Sequence, residues 1–526
     1  MNNLQNMFKN DINPFLATDG YKTAHHNMYP DRTELVLSNW TARHGKHSNI
    51  KNSKGVIVVG ASMVFQKIVE MFDKTFFFTD RRDAINNLNI DEPTKSKLLI
   101  NLRDEACLPI KHVYSAYLGF NYDISHIEEL WDYGKLPVKV KTIREGHFVN
   151  YGVPSLTIHN VGKQFFWVTN FLETLISNML WMPMTAATTA FEYKKILTKY
   201  AKETDIDNLD FVSFQGHNFS MRGMAGLDAT VSAGIGHASS FMGDDSLPTI
   251  YAAYKYYKET AMPVFGVPAS EHSVMCSGTK DDELGTFRHL MKQYPTGILS
   301  IVSDTWNLWD VLTKYLPILK DEILARDGKI VIRPDSGDPV DIICGTYTGT
   351  DYVKLQNRKN WTPQEKGLIE LLWDLFGGTI NSQGYKVLDP HIGAIYGDSI
   401  TLERADRICD RLKAKGFATT NIVLGIGSYT YQYVTRDTHG FAMKATYVEV
   451  NGDGREIFKD PITGDGTKKS AKGLISVKLE NGKYVLNDQC TFEDMENDDM
   501  LVLFNDGKFV YQPSLVEIRL EINKQI

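Results

Sequence analysis

Between residues 211 and 428 one hydropathy pattern recurs. A run of three to five mostly apolar residues ends abruptly in polar or glycine residues, and a helical stretch follows. The runs are 211–214 before QGH, 264–267 before PASEH, 298–302 before SDTW, 330–332 before RPDSG, 394–396 before GDS, and 422–424 before GIGS. Apolar runs this short read as parallel strands buried on both faces, and the polar residues after them mark strand C-terminal ends. Of the intervening helices, 399–416 is the clearest. Ser399 stands at the cap position, Leu402, Ala405, Ile408 and Leu412 form an apolar stripe, and Gly416 is the stop. Upstream, 167–182 reads as a buried helix and 185–204 as a second one, with Lys194, Lys195 and Lys199 on its wet side. Strand, polar loop and helix in repetition predict a parallel α/β architecture. So many strand ends bearing chemistry favour an α/β barrel, whose strands all end at one mouth, over an open doubly wound sheet.

The flanks read differently. Strand-like runs at 35–38, 56–59 and 138–142 precede the repeating region. Others at 442–450, 475–479, 484–486, 501–504 and 509–511 follow it, with a Gly-, Asp- and Lys-rich loop at 451–473. The composition changes near 156 and 437, and a chain of 526 residues is long enough for two or three domains.

Composition narrows the function. A formal net charge of −7 argues against a surface for non-specific nucleic-acid binding, while a few local arginines suffice for a small anion. The five cysteines (Cys107, Cys276, Cys344, Cys409, Cys490) show neither C-x-x-C nor disulfide-like spacing, which points to a reducing compartment and to no zinc site. The first residues lack an apolar signal core, and no apolar run approaches eighteen residues, so the expectation is a cytoplasmic protein without membrane spans.

The candidate chemistry sits at the strand ends. KIVIRPDSGDP (329–339) delivers Arg333, suited to a phosphate, and Asp335, suited to sugar hydroxyls or a metal; an ordinary ion pair is the plainer reading. The other ends supply Arg222, Asp245, His272, Asp304, Asp398 and the glycines Gly425 and Gly427. GIGSYTYQ lacks the third glycine of a dinucleotide fingerprint, yet its backbone N–H groups suit a phosphate. GDGTKKS (464–470) lacks Walker A spacing and reads as a solvated or phosphate-facing basic loop. In 15–30 the adjacent His25 and His26 cannot chelate one metal simply, so that segment reads as a solvated turn around a buried tyrosine. Arginines, lysines and a glycine turn for phosphates, with carboxylates for hydroxyls or magnesium, describe a phosphosugar site.

Motifs in order along nearly the whole chain carry a resemblance. LATDGYK, FSMRG, VPASEHS, SIVSD, IRPDSGDP, YGDS, the GIGS…TRD segment and FKDP resemble those of the nicotinamide phosphoribosyltransferases, a type II phosphoribosyltransferase family. The resemblance implies an irregular α/β barrel (156–436) plus a β-rich domain from both chain ends (1–155 and 437–526), in a homodimer with shared active sites. It implies transfer of ribose 5-phosphate from phosphoribosyl pyrophosphate to nicotinamide in NAD salvage, with Mg2+ and with ATP as a stimulatory co-substrate that phosphorylates His272. Glu271 and Asp304 would orient His272. Arg333 and Asp335 would hold the ribose and phosphate region, lined also by Gly397, Asp398, Gly427, Ser428 and Arg436; Ser300 joins the substrate contacts. Arg43, Lys444, Lys459 and Lys468 would reach phosphates. Phe219 and Tyr21 of the neighbouring chain would sandwich the pyridine, with Arg222 beside it. Asp245 would accept from the carboxamide and repel nicotinate. The chain departs from the family pattern at Tyr429, which adds bulk beside the phosphate turn. Alternatives are a nicotinate phosphoribosyltransferase, an NAD-dependent oxidoreductase and a phosphosugar-binding protein without activity.

Overall fold

The computed structural model describes residues 11–347, 358–397, 399–458 and 471–526. The chain divides into two compact units, Met1–Thr185 with Lys255–Lys258 and Thr435–Glu521, and Ala186–Tyr254 with Glu259–Val434 and Ile522–Ile526.

The first unit is built on a seven-stranded sheet that mixes both ends of the chain. Its order is Asp453–Glu456, Ala442–Val450, Thr33–Thr41, Pro154–Asn160, Val138–Thr142, Leu501–Asn505 and Lys508–Phe509, and its pairings are antiparallel. Residues 156–185, placed by composition with the barrel, bury Leu156, Ile158, Trp167, Val168, Phe171 and Leu172 in the core of this unit. Helix Glu173–Thr204 runs as 32 continuous residues through Pro183, where the sequence suggested two helices.

The second unit carries the repeating pattern. Six parallel strands lie in the order Gly243–Asp244, Gly216–Asn218, Ile422–Ile426, Ile392–Tyr396, Asp327–Arg333 and Thr296–Val302. The two edges are bridged by one extended segment: Phe265 pairs with Gly243, and Ala269 pairs with Ser300. The sheet thereby curls into an irregular barrel. Ile330, Ile332, Ala394, Leu424 and Ile426 are buried in its core. The expected apolar stripe packs against them through Ala405, Ile408 and Leu412, all on helix Leu402–Ala414.

Three local expectations change. Run 211–214 is not a strand; Val212–Gln215 is a helical turn and the strand begins at Gly216, where a Cβ would collide with Phe241. Run 264–267 forms no ladder and serves as the bridging segment. The helix after the GDS motif is capped by Thr401, whose hydroxyl accepts from Arg404 N at 3.2 Å, rather than by Ser399.

Candidate functional site

The strand ends of the second unit open on a cleft of about 800 Å³. Asp327–Arg333 delivers Arg333 and Asp335 to it; Gly397 follows the adjacent strand, and Gly427 and Ser428 follow the next. Phe219, Arg222, Asp245 and Glu271 also line it. A second cavity of about 540 Å³, with mostly apolar walls, shares Phe219, Asp245, Ala269 and Arg333 with the cleft and reaches Ser300. Hence nine of the residues singled out in the sequence converge on this cleft, although they are scattered along the chain from Phe219 to Ser428.

Small residues set the packing around Asp335 and Ser428. A Cβ at Gly397 would fall inside contact distance of Asp335 Oδ1, and one at Gly425 would lie 2.7 Å from Tyr396 O. A Cβ at Gly223 would collide with Ser428. Arg333 Nε lies 3.6 Å from Asp335 Oδ1, and its side chain is 12% exposed. That Nε has no hydrogen-bond partner among the described residues, so the guanidinium retains donor capacity for a ligand.

Asp304 acts on the backbone. Its Oδ2 accepts from Asp335 N at 2.9 Å and Ser336 N at 2.8 Å, and from the Ser336 hydroxyl. This clasp fixes the loop that carries Asp335. His272 begins a short helix and is half exposed; its Nδ1 lies 3.2 Å from Thr305 Oγ1 and its Nε2 3.8 Å from Asp335 Oδ2. Glu271 instead accepts from the Ser273 hydroxyl. Among the described residues no hydrogen bond joins Glu271 or Asp304 to His272; Thr305 and Asp335 are the groups beside the imidazole.

Elsewhere in the cleft, Asp245 Oδ1 lies 2.9 Å from His217 Nε2. The preceding Asp244 is buried and accepts from Ser246 N, Asn218 Nδ2 and Thr249 Oγ1. Burial pushes its carboxyl up to about 6 against the pull of those donors. His217 was not singled out in the sequence. The available signal was its place two residues before Phe219, which puts both on one side of an extended segment.

The remaining expected residues belong to the first unit or lie outside the described residues. Tyr21 is 62% exposed, and the buried members of its turn are Thr23 and Lys22, whose Nζ lies 2.6 Å from Glu173 Oε2. The expectation of a buried tyrosine is thus reversed: the lysine is the anchor and the ring is presented outward. Arg43 Nε donates to Gly440 O at 2.7 Å, Arg436 lies 3.6 Å from Asp437, and Lys444 is exposed on its strand. Asp398, Lys459 and Lys468 lie outside the described residues.

Comparison with known proteins decides the family. Residues 214–503 match the model of the nicotinate phosphoribosyltransferase (NAPRTase) family. The chain belongs to that family. It is therefore a pentosyltransferase. A protein named nicotinamide phosphoribosyltransferase from Acinetobacter baylyi is 42% identical over 98% of both chains. One of the same name from Mycoplasma pneumoniae is 34% identical over 87% of this chain and 94% of its own. Among solved structures, nicotinate-nucleotide pyrophosphorylase from Pyrococcus furiosus aligns with a TM-score of 0.52 at 15% identity, over 98% of this chain and 96% of that one. Human nicotinic acid phosphoribosyltransferase aligns at 0.50 and 13%, over 96% and 93%. At such identities these two structures speak for the shared fold alone. Among the described residues no helix is long and apolar enough to cross a membrane.

Proposed function

We propose that the protein transfers the 5-phosphoribosyl group from phosphoribosyl pyrophosphate to nicotinamide, giving nicotinamide mononucleotide and pyrophosphate for NAD salvage. The observation that carries the choice of base is Asp245 beside Phe219 in the cleft. A carboxylate accepts from a carboxamide N–H and repels the carboxylate of nicotinate at short range. The names of the relatives support the same base.

The attacking pyridine nitrogen is neutral, so no general base is required. The C1–O bond to pyrophosphate breaks, positive charge develops on the ribose ring, and the ring nitrogen forms the new bond to C1. Asp335 holds the ribose hydroxyls, Arg333 the neighbouring phosphate region, and the Gly427–Ser428 turn offers N–H groups to the 5′-phosphate. Magnesium, when bound, would screen the negative charge that develops on the pyrophosphate. Among the described residues no group of three or more His, Cys, Asp or Glu side chains converges to hold a metal. The half-exposed His272 beside Asp335 supports transfer of the γ-phosphoryl group of ATP to the imidazole with release of ADP. A homodimer in which the partner's Tyr21 covers the base is supported by exposed Leu227, Leu247 and Tyr251 and by the stacked, exposed Tyr429 and Tyr433.

The test is product analysis with phosphoribosyl pyrophosphate and either base, with and without ATP. Nicotinamide mononucleotide as the preferred product is expected; a mononucleotide formed only from nicotinate overturns the assignment.

A further inference from the structure

We infer that His217 is a positioning residue for base selection, setting both the acceptor and the stacking surface that meet the pyridine. The inference rests on the reading of Asp245 and Phe219 given above and adds a residue to it.

In Gly216–Asn218 successive side chains alternate in direction, so His217 points one way with Phe219, and Asn218 points the other. Asn218 donates to buried Asp244 at 3.1 Å, and Asp244 also accepts from Ser246 N at 2.6 Å. This network fixes the backbone on either side of Asp245 from behind. In front, His217 Nε2 lies 2.9 Å from Asp245 Oδ1. An ionised carboxylate only accepts, so Nε2 carries the proton and donates. The same imidazole lies against Phe219, with ring centroids 4.7 Å apart and planes tilted by 36°. One side chain therefore touches both groups proposed to grip the base.

Burial shows which partner is the support. The His217 side chain is 11% exposed, whereas that of Asp245 is 41% exposed and faces the cleft. The imidazole is enclosed because position 243 is glycine: a Cβ there would stand 2.6 Å from His217 Nδ1. On the far side, a Cβ at Gly266 would stand 3.2 Å from Asp245 Oδ1, so the 264–267 segment comes close to the carboxylate because it carries no side chain at that point. With Oδ1 engaged by His217, Oδ2 is the oxygen left for a carboxamide N–H. The hydrogen bond from the imidazole orients the carboxylate that meets the base.

Side-chain geometry supplies a sharp test. The amide nitrogen of glutamine mimics the position of Nε2, whereas that of asparagine mimics Nδ1. The kcat/KM ratio of nicotinamide to nicotinate is measured for the parent enzyme and for His217→Ala, His217→Asn and His217→Gln. The KM for phosphoribosyl pyrophosphate and the thermal midpoint are recorded for each. The ratio is expected to fall about tenfold or more in His217→Ala and His217→Asn, the scale of a lost hydrogen bond to a charged group, and to recover to within about threefold in His217→Gln. The KM for phosphoribosyl pyrophosphate should stay within about twofold throughout. An unchanged base ratio in His217→Ala overturns the inference, as does equal loss in the Gln and Asn variants. If the Ala variant does not fold, the Gln–Asn pair decides. A parent enzyme that prefers nicotinate overturns the base assignment, while His217 is still judged by the change in the ratio.

Discussion

Gly397→Ala offers a direct probe of how the cleft holds Asp335. Gly397 is not among the positive-φ glycines, so alanine can adopt its backbone without strain. The added methyl instead meets Asp335 Oδ1 well inside contact distance, with Arg333 Cδ at 3.5 Å beyond. The loop cannot retreat as a whole, because Asp335 N and Ser336 N are both bound to Asp304 Oδ2. The carboxylate must therefore swing by roughly 1 Å, and a displacement of that size at a positioning group costs on the order of 100-fold in rate. That factor corresponds to about 2.7 kcal/mol of transition-state stabilisation. Steady-state kinetics with phosphoribosyl pyrophosphate varied should show this loss in kcat/KM, with a thermal midpoint shifted by only a few degrees. A double-mutant cycle isolates the cause. In an Asp335→Ala background no carboxylate meets the methyl, so Gly397→Ala should add less than about a threefold further loss. Parent-like activity in the single variant, or full additivity in the cycle, would refute the steric argument.

Asp245→Asn should reduce the preference for nicotinamide over nicotinate about tenfold or more, because the like-charge repulsion is gone; parallel kinetics with the two bases check it, and an unchanged ratio removes Asp245 from base selection. His272→Ala should retain slow transfer and lose its stimulation by ATP, read as product formed with and without ATP; stimulation that persists places the phosphoryl acceptor elsewhere. Asp244→Asn tests the buried carboxyl raised from 3.8 to about 6 by burial. A raised folded-state value favours the folded protein at low pH, and that contribution fades as pH rises through the folded value. The stability of the variant relative to the parent should therefore rise by about 3 kcal/mol between about pH 4 and pH 6 and stay level above. Denaturant unfolding across that range checks it, and a pH-independent difference would refute it.

Much of the second unit was legible because buried parallel strands are apolar on both faces. The runs at 298–302, 330–332, 394–396 and 422–424 all fall within observed strands. The pattern failed where residues line a cavity. Phe211 and Phe214 face the 540 Å³ cavity from helical turns, and their hydrophobicity resembled that of a strand. It failed again at Pro183, which sits inside a continuous helix although proline usually ends one. In the first unit the reading of 15–30 assigned burial to a tyrosine ring. The compensated charge of Lys22, paired with Glu173, lies inside instead. Pairing of that kind depends on a residue 151 positions away, and no local pattern signals it.

The site's members were legible and their partnerships were not, because partnership follows from strand register. Val302 pairs with Arg333, so Asp304 and Asp335, each two residues further on, end side by side. Asp304 is thereby brought to the Asp335 backbone rather than to His272. Ala394 pairs with Ile332, which carries Gly397 to the level of Asp335 and explains why a side chain there would collide with the carboxylate. His217 pairs with Gly243, which places its imidazole beside the turn that bears Asp245. Parallel register is set by packing of the whole barrel and leaves no mark in any one segment. Three pairings therefore convert a set of polar strand ends into a clasp, a steric limit and a base-reading pair.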